Sequence, residues 1–482
     1  MHLTLAEKTQ RFVSTRVLDS IIQKAKSGDL TDLAKLFENI AALAPSSYHK
    51  KTFREIAGLV RENHPYVGVF HRIVRELNPN SLQKLLQNLI VNFMVLGRGI
   101  RDRKMKELGV HLPNFLTISP TMRCNLSCEG CYASEYDQEK ELSYEDLDRI
   151  ISEGKDLGMF FHTLSGGEVL LHSRIFDIWE KHRDCYFQFY TNGTLLSDKI
   201  IERLAALGNV APMVSVEGSR ESTEARRGKG TYDIIMNAFE RMKQAGIAYG
   251  FSATYTNRSA DSIASDGFIR TMRDVGCYMG WIFQYVPIGK TPDLSYMATP
   301  EQRKKLHLKI LEWRKNPEFP VFIGDFWNDG PHVDGCMAGG QRYWHIIANG
   351  DVEPCVFVPF AVDNIHGKSL VDIARSPFFT AIREAQPYDD DNLLRPCMVI
   401  DHPHVLREIV KKYGAHPCHP GLEALLKGKV AQGLDSYAQG VKETLDPLWE
   451  AFERKEYLKE LAKEDNPTAR QRFEKRYPLR AQ

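Results

Sequence analysis

The sequence is short of several things that would have settled its class at once. Within its 482 residues there is no apolar run long enough to cross a bilayer and no apolar h-region near the N-terminus, so a cytoplasmic protein is expected. Net charge is nearly absent, at +1, which gives no global electrostatic ground for nucleic-acid binding. Cysteine is sparse, nine in all, and clustered by motif, against the spread expected of a secreted disulfide framework. No internal repeat and no low-complexity segment is found. What remains is an ordinary globular balance of 43% hydrophobic and 26% charged residues, on a chain long enough for two or three domains.

Three of those cysteines lie close together. Cys124, Cys128 and Cys131 form a C-x3-C-x2-C array after a run from Phe115 that reads as a strand. Soft thiolates at this density suit an iron–sulfur cluster or zinc. From residue 115 to about 289 strand patterns (115–121, 160–165, 186–191, 210–216, 248–256, 279–286) alternate with helical ones (143–157, 173–183, 197–207, 231–245, 261–275). Six strands and five helices in alternation predict a parallel sheet with right-handed crossovers. Distinctive turns follow the strands: Gly166-Gly167-Glu168, then Thr191-Asn192-Gly193-Thr194, then Ser215 through Glu217 to Arg226 and Arg227. Four more cysteines come later. Cys336, Gly350 and Cys355 are spaced C-x13-G-x4-C, with Cys397 and Cys418 beyond them, and the segment His345–Pro354 reads as a hairpin with an Asn-Gly-Asp turn.

The first 110 or so residues read as helical. A stripe of Leu82, Leu85, Leu86, Leu89, Ile90, Phe93, Met94 and Ile100 follows a capping-box pattern at Asn80 and Gln83. The stripe suits packing on the main domain; peripheral membrane contact is the second reading. The C-terminal region is helical and of mixed charge, with Leu445, Trp449 and Phe452 as anchors and Arg226 elsewhere taken as a surface charge.

With these motifs in place, the chain resembles the radical S-adenosylmethionine (SAM) superfamily, in the branch whose C-terminal SPASM or twitch domain holds auxiliary iron–sulfur centres. The resemblance implies a partial (β/α)6 barrel over 113–295. It also implies an N-terminal helical region (1–112), a connecting helix with a SPASM/twitch-like domain (296–420) and a helical tail (421–482). It implies a SAM-binding [4Fe–4S] cluster on Cys124, Cys128 and Cys131, and an auxiliary [4Fe–4S] cluster on Cys336, Cys355, Cys397 and Cys418. It further places Gly166, Gly167 and Glu168 at the SAM amino group, Ser215 and Arg227 at its carboxylate, and Asn192 nearby. The position before the third cysteine, usually aromatic and near the adenine, is Gly130, so Tyr132 is expected to supply a stacking face. An electron donor such as flavodoxin or ferredoxin is implied as partner. The implied reaction is reductive cleavage of SAM and hydrogen abstraction from a substrate that is a small molecule, a lipid-like molecule or a peptide. No catalytic acid or base stands out; Tyr255 and Gln284 lie near strand ends. The residues by themselves also allow a zinc or iron–sulfur binding protein, or a cofactor-assembly protein, without SAM turnover.

Overall fold

A computed structural model describes residues 30–43, 47–289, 292–388 and 391–463, together with parts of 11–23. Its centre is one sheet. Strands β1 (Phe115–Ile118), β2 (Phe161–Leu164), β3 (Tyr186–Thr191), β4 (Val210–Ser215), β5 (Gly250–Tyr255), β6 (Met279–Gln284) and β7 (Phe322–Asp325) lie side by side in chain order, all parallel. The expected helices cross between them at Tyr144–Asp156, Ile175–Lys181, Asp198–Leu207, Thr231–Ala245 and Asp266–Asp274. Ser143, Ser197 and Ser265 cap three of these through their hydroxyl oxygens.

The hairpin expected near residue 350 forms, as β8 (Tyr343–Ile346) and β9 (Asp351–Glu353), and it does more than the sequence indicated. β8 pairs parallel with β1 from Phe115↔Tyr343 to Ile118↔Ile346, and β9 passes the sheet on to β11 (Asp363–Asn364). The barrel sheet therefore has ten strands, with β7 at one edge and β11 at the other and no pairing between them. It stays open. Outside it, β10 (Phe360–Ala361) pairs antiparallel with β12 (His416–Pro417).

The Leu82–Ile100 stripe closes the bottom of the barrel. Leu82, Leu86 and Val91 pack with Val74, Leu77 and the strand-entry residues Tyr186, Ala211, Ala248 and Tyr278. Asn88 and Asn92 donate to the carbonyls of Arg183, Asp184 and Cys185 ahead of β3. Met94 alone of the stripe is exposed, at 52%. The start of this segment differs from the capping box read at Asn80: the cap is Asn78, which accepts from Ser81 N–H (2.8 Å), with Pro79 in the first turn. No helix among the described residues is long and apolar enough to cross a membrane.

In the tail, Leu445 and Trp449 are buried with Leu393, Leu394 and Val441, whereas Phe452, expected as a third anchor, is 69% exposed. The connecting helix meets the segment around Cys397 through a buried ion pair. Arg303, in the helix Pro300–Lys315, bonds both oxygens of Asp401 (2.5 and 3.1 Å), Asn328 Oδ1 and the Leu394 carbonyl. Both side chains of the pair are 0% exposed. Asp401 in turn accepts the Cys397 N–H (3.0 Å). Breaking such a pair strands a charge in the interior at a cost of about 3–5 kcal/mol. Asp401→Ala is therefore expected to lower the urea midpoint steeply, while a double Arg303→Met, Asp401→Leu variant loses much less; equal losses would show that the pair is not what holds this junction.

Candidate active site

The loop after β1 carries Cys124, Cys128 and Cys131, and the end of β2 grips its backbone. Gly167 N–H donates to the Thr121 carbonyl (3.1 Å) and Glu168 N–H to the Arg123 carbonyl (2.8 Å). A Cβ on Gly167 would stand 2.1 Å from the Arg123 oxygen, and one on Gly166, at φ +110°, 2.4 Å from the Thr121 oxygen. Only glycine lets these segments touch. The Glu168 carboxylate is fully buried and accepts from the Thr191 hydroxyl, Asn192 N–H and Leu170 N–H at 2.9–3.2 Å. Burial raises its carboxyl and these donors oppose the rise. Glu168 thus braces the ends of β2 and β3 around the loop.

The Cys124 sulfur accepts the N–H of Leu126, and burial, Glu168 and the other two thiols hold its proton on. Asn192 Nδ2 lies 3.8 Å from the same sulfur and 2.9 Å from Asn125 Oδ1. Around Cys128 the surroundings change sign: burial raises the thiol, while Arg227 and Arg226 pull it down. Glu217 holds both arginines. Its Oε1 accepts from Arg226 Nη1 (2.6 Å) and Arg227 Nε (2.9 Å), and its Oε2 accepts Thr254 N–H (2.8 Å). Arg226, read from sequence as a surface charge, is instead sequestered here, with its side chain 12% exposed and its Nε on the Glu129 carbonyl. The Ser215 hydroxyl pairs with Ser252 Oγ (3.1 Å).

Tyr132, expected to supply a stacking face, is held at its hydroxyl. Its hydroxyl bonds Ser165 Oγ (2.6 Å) and accepts Gly166 N–H (3.2 Å), and its ring packs against Phe357. Burial pushes the phenol up to about 12. The space beside Gly130 (φ +64°) is filled by Tyr285, just past β6: a Cβ there would sit 2.8 Å from Tyr285 Cε2, and Tyr285 is itself buried, with its hydroxyl accepting Asp293 N–H. No local sequence signal links the two positions.

A second thiol group lies in the C-terminal region. Cys336, Cys355 and Cys397 line one small cavity together with Phe326, Trp327 and Phe357. Each sulfur accepts a backbone N–H from two residues on: Ala338 at 3.4 Å, Phe357 at 3.5 Å and Val399 at 3.4 Å. The Tyr343 hydroxyl adds a contact to Cys355 Sγ at 3.3 Å. Burial drives all three thiols up, Cys355 to about 12 and Cys397 to about 11; their ionised forms need a cation's charge. Cys418 is not in this cavity. It lies against Glu353 and Asp351, so the expected four-cysteine set is corrected to three.

Aromatic rings connect the two thiol groups. Tyr132, next to Cys131, meets Phe357; Phe357 meets Phe283, Phe326 and Trp327 at 4.9–6.2 Å; Phe283 meets Tyr190 and Trp281. Trp281 and Phe283 alternate on β6 with buried Gly280, Ile282 and Gln284, which places the rings on one face of the strand. The Tyr255 hydroxyl is taken by the Gln302 carbonyl (3.0 Å), while the Gln284 amide is buried with neither atom hydrogen-bonded.

Residues 118–257 match the radical SAM superfamily, and residues 336–398 match SPASM, an iron–sulfur cluster-binding domain. The chain is a radical SAM enzyme of the SPASM branch. The second match ends before Cys418. Mycofactocin maturase MftC of Mycolicibacterium smegmatis is 29% identical over 282 residues, 55% of this chain and 68% of that protein. Sporulation killing factor maturation protein SkfB of Bacillus subtilis is 25% identical over 283 residues, 55% and 66% respectively. The structure of Streptococcus suis SuiB bound to S-adenosylmethionine shares the fold, with a TM-score of 0.53 at 17% identity over 77% of this chain and 88% of that one. Radical SAM enzymes carry a [4Fe–4S] cluster and SAM, and the SPASM domain carries auxiliary iron–sulfur. The residues fit: two groups of three thiols, with amides aimed at Cys124 and at all three cavity sulfurs.

Glu217 yields a prediction with a definite sign. Burial alone would raise its carboxyl, but Arg226 and Arg227 hold it below the ordinary value of 4.5. A depressed folded pKa contributes stability that is present above 4.5 and lost as pH falls through the folded value. Glu217→Gln is expected to lower the urea midpoint at neutral pH and to flatten its fall between about pH 5 and pH 3; an unchanged acid limb would rule Glu217 out as its source. Asn192→Leu, which removes the amide from Cys124, is expected to lower the reduction potential of the cluster held there, read by redox titration of its EPR signal.

Proposed function

We propose that this radical SAM enzyme is an oxidative maturase that removes a hydrogen atom from an apolar carbon of a peptide substrate. When bound, the cluster at Cys124, Cys128 and Cys131 with SAM supplies one-electron cleavage of the sulfonium and a 5′-deoxyadenosyl radical as hydrogen acceptor. The observation that carries the reading is the aromatic wall between the two thiol groups. It excludes water from the space in which a radical would act and suits an apolar reacting group. That MftC and SkfB are named as maturases, and that SuiB is described bound to a precursor peptide, supports a peptide over a lipid.

In this reading Gly166, Gly167 and the Glu168 brace present backbone groups to the SAM amino end. Arg227 and Ser215 face the carboxylate, with Glu217 fixing the direction of the guanidinium, whose planar fork matches a carboxylate bidentately. Asn192 orients the Cys124 side. Tyr285, packed against Gly130, backs the space this reading gives to the adenine. Cys336, Cys355 and Cys397 would hold the auxiliary cluster at the far end of the wall, where its chemistry would be that of a one-electron acceptor.

The reading is tested by reducing the anaerobically reconstituted protein in the presence of SAM and measuring 5′-deoxyadenosine. Formation dependent on reductant is expected; its absence from fully loaded protein contradicts the proposal. Tyr285→Ala is expected to weaken SAM binding about tenfold, the loss of one good ring contact, with iron content unchanged, whereas Tyr132→Phe is expected to leave SAM affinity within about twofold.

A further inference from the structure

Once three cysteines account for the auxiliary cavity, Cys418 is left over, and it has company. β12 pairs with β10 in the register Phe360↔Pro417 and Ala361↔His416, and Cys418 N–H donates to the Pro359 carbonyl (2.9 Å). In extended chain, residues two apart point to the same side, so His416 and Cys418 project together. They project at Asp351, the first residue of β9. His416 Nε2 lies 3.1 Å from Asp351 Oδ2, and the imidazole nitrogen, the carboxylate oxygen and the Cys418 sulfur all lie within 4.8 Å of one another.

That geometry differs in kind from the two thiol groups. Asp351, His416 and Cys418 form the donor group compact enough for a single ion among the described residues. With metal–ligand bonds of about 2.0–2.3 Å, tetrahedral zinc needs its donors about 3–4 Å apart, so the set closes with small side-chain motion. The surroundings differ as well. The cavity sulfurs accept amide protons, whereas Cys418 lies against the carboxylates of Glu353 and Asp351. The carboxylate of Asp351 accepts Asn364 Nδ2 on Oδ1 (3.0 Å) and Asn349 Nδ2 on Oδ2 (2.9 Å), the oxygen that faces His416, support of the kind that orients a metal ligand. The His416 side chain is 53% exposed and Asp351 10%, which gives an ion a route in from solvent. Glu353, already beside the thiol, or water completes four-coordination.

We propose that Asp351, His416 and Cys418 form a mononuclear site for a borderline divalent cation, zinc above all, separate from both iron–sulfur centres. One thiolate, one imidazole and one carboxylate are donors that zinc takes in common, while magnesium and calcium want oxygen alone. The site ties β12 to β9. Cys418 also packs with Tyr136, Ala133 and Met122, beside Cys131 and Tyr132, so the ion anchors the chain that follows the SPASM domain against the loop of the first three cysteines. Its place is structural.

The test uses the full chain, reconstituted anaerobically with iron and sulfide, stripped of loose metal by a chelator and dialysed against Zn²⁺ alone. Iron and zinc are then counted in the same sample. About one zinc per chain is expected beside the full iron complement, and Cys418→Ala and His416→Ala are each expected to abolish the zinc without loss of iron. The exposed position of His416 keeps its variant folded should the Cys418 variant fail. Co²⁺ in place of Zn²⁺ is expected to show a sulfur-to-cobalt charge-transfer band that Cys418→Ala lacks. Wild-type protein holding full iron and no zinc overturns the proposal. So does loss of about four irons in Cys418→Ala, which would make Cys418 a cluster ligand after all.

Discussion

A thiolate taken out of bulk water is costly unless positive charge and amide protons stand near it, and two groups of cysteines here have such neighbours. At the first, the Leu126 amide and the Asn192 side chain face Cys124 and two arginines stand by Cys128. At the second, three amides point at Cys336, Cys355 and Cys397. The amides are local, each two residues after its cysteine, but the groups that hold these segments in place are not. The arginines are aimed by Glu217, which the β5 amide of Thr254 anchors. Cys397 is held by Asp401, which the buried Arg303 of the connecting helix anchors. Elements far apart in the chain converge on six sulfurs.

The remainder of the architecture determines what can happen between those sulfurs. The helical segment from Pro79 seals the lower end of the barrel, so the strands present their C-terminal ends as the working face. The added strands β8 and β9 continue the sheet past β1 and carry Cys355 at their end, which places the second thiol group on the same scaffold as the first. Between them runs a wall of Tyr, Trp and Phe rings. The space between is walled by apolar rings and has a thiol group at each end, a setting that suits the proposed radical chemistry on a carbon–hydrogen bond.

Features whose cause is local could be read from the sequence. The thiol spacing, the Gly-Gly-Glu turn, the six alternating strands and the hairpin turn each rest on a few neighbouring residues, and each is where it was expected. Features set by distant partners could not. Gly130 shows only that an aromatic is missing; that Tyr285 occupies the space depends on the closing of β6 against the cysteine loop. Arg226 and Arg227 look alike in sequence, and only the buried Glu217 shows that both are gathered inward. Asn78 displaces Asn80 as a cap because Pro79 already favours the first helical turn, a choice between two similar signals. Cys418 reads in sequence as a fourth auxiliary thiol, but the pairing of β12 with β10 sets it beside Asp351 and His416.

The central claim is that this chain holds two independent three-thiol iron–sulfur sites. The most direct measurement is iron and acid-labile sulfide, with EPR of the reduced state, on anaerobically reconstituted protein and on two triple-alanine variants, one for each thiol group. The account predicts about eight irons in the wild type and about four in each variant, with a different EPR signal surviving in each. Zinc without sulfide at either site, or a variant in which removing one group empties both, would contradict it.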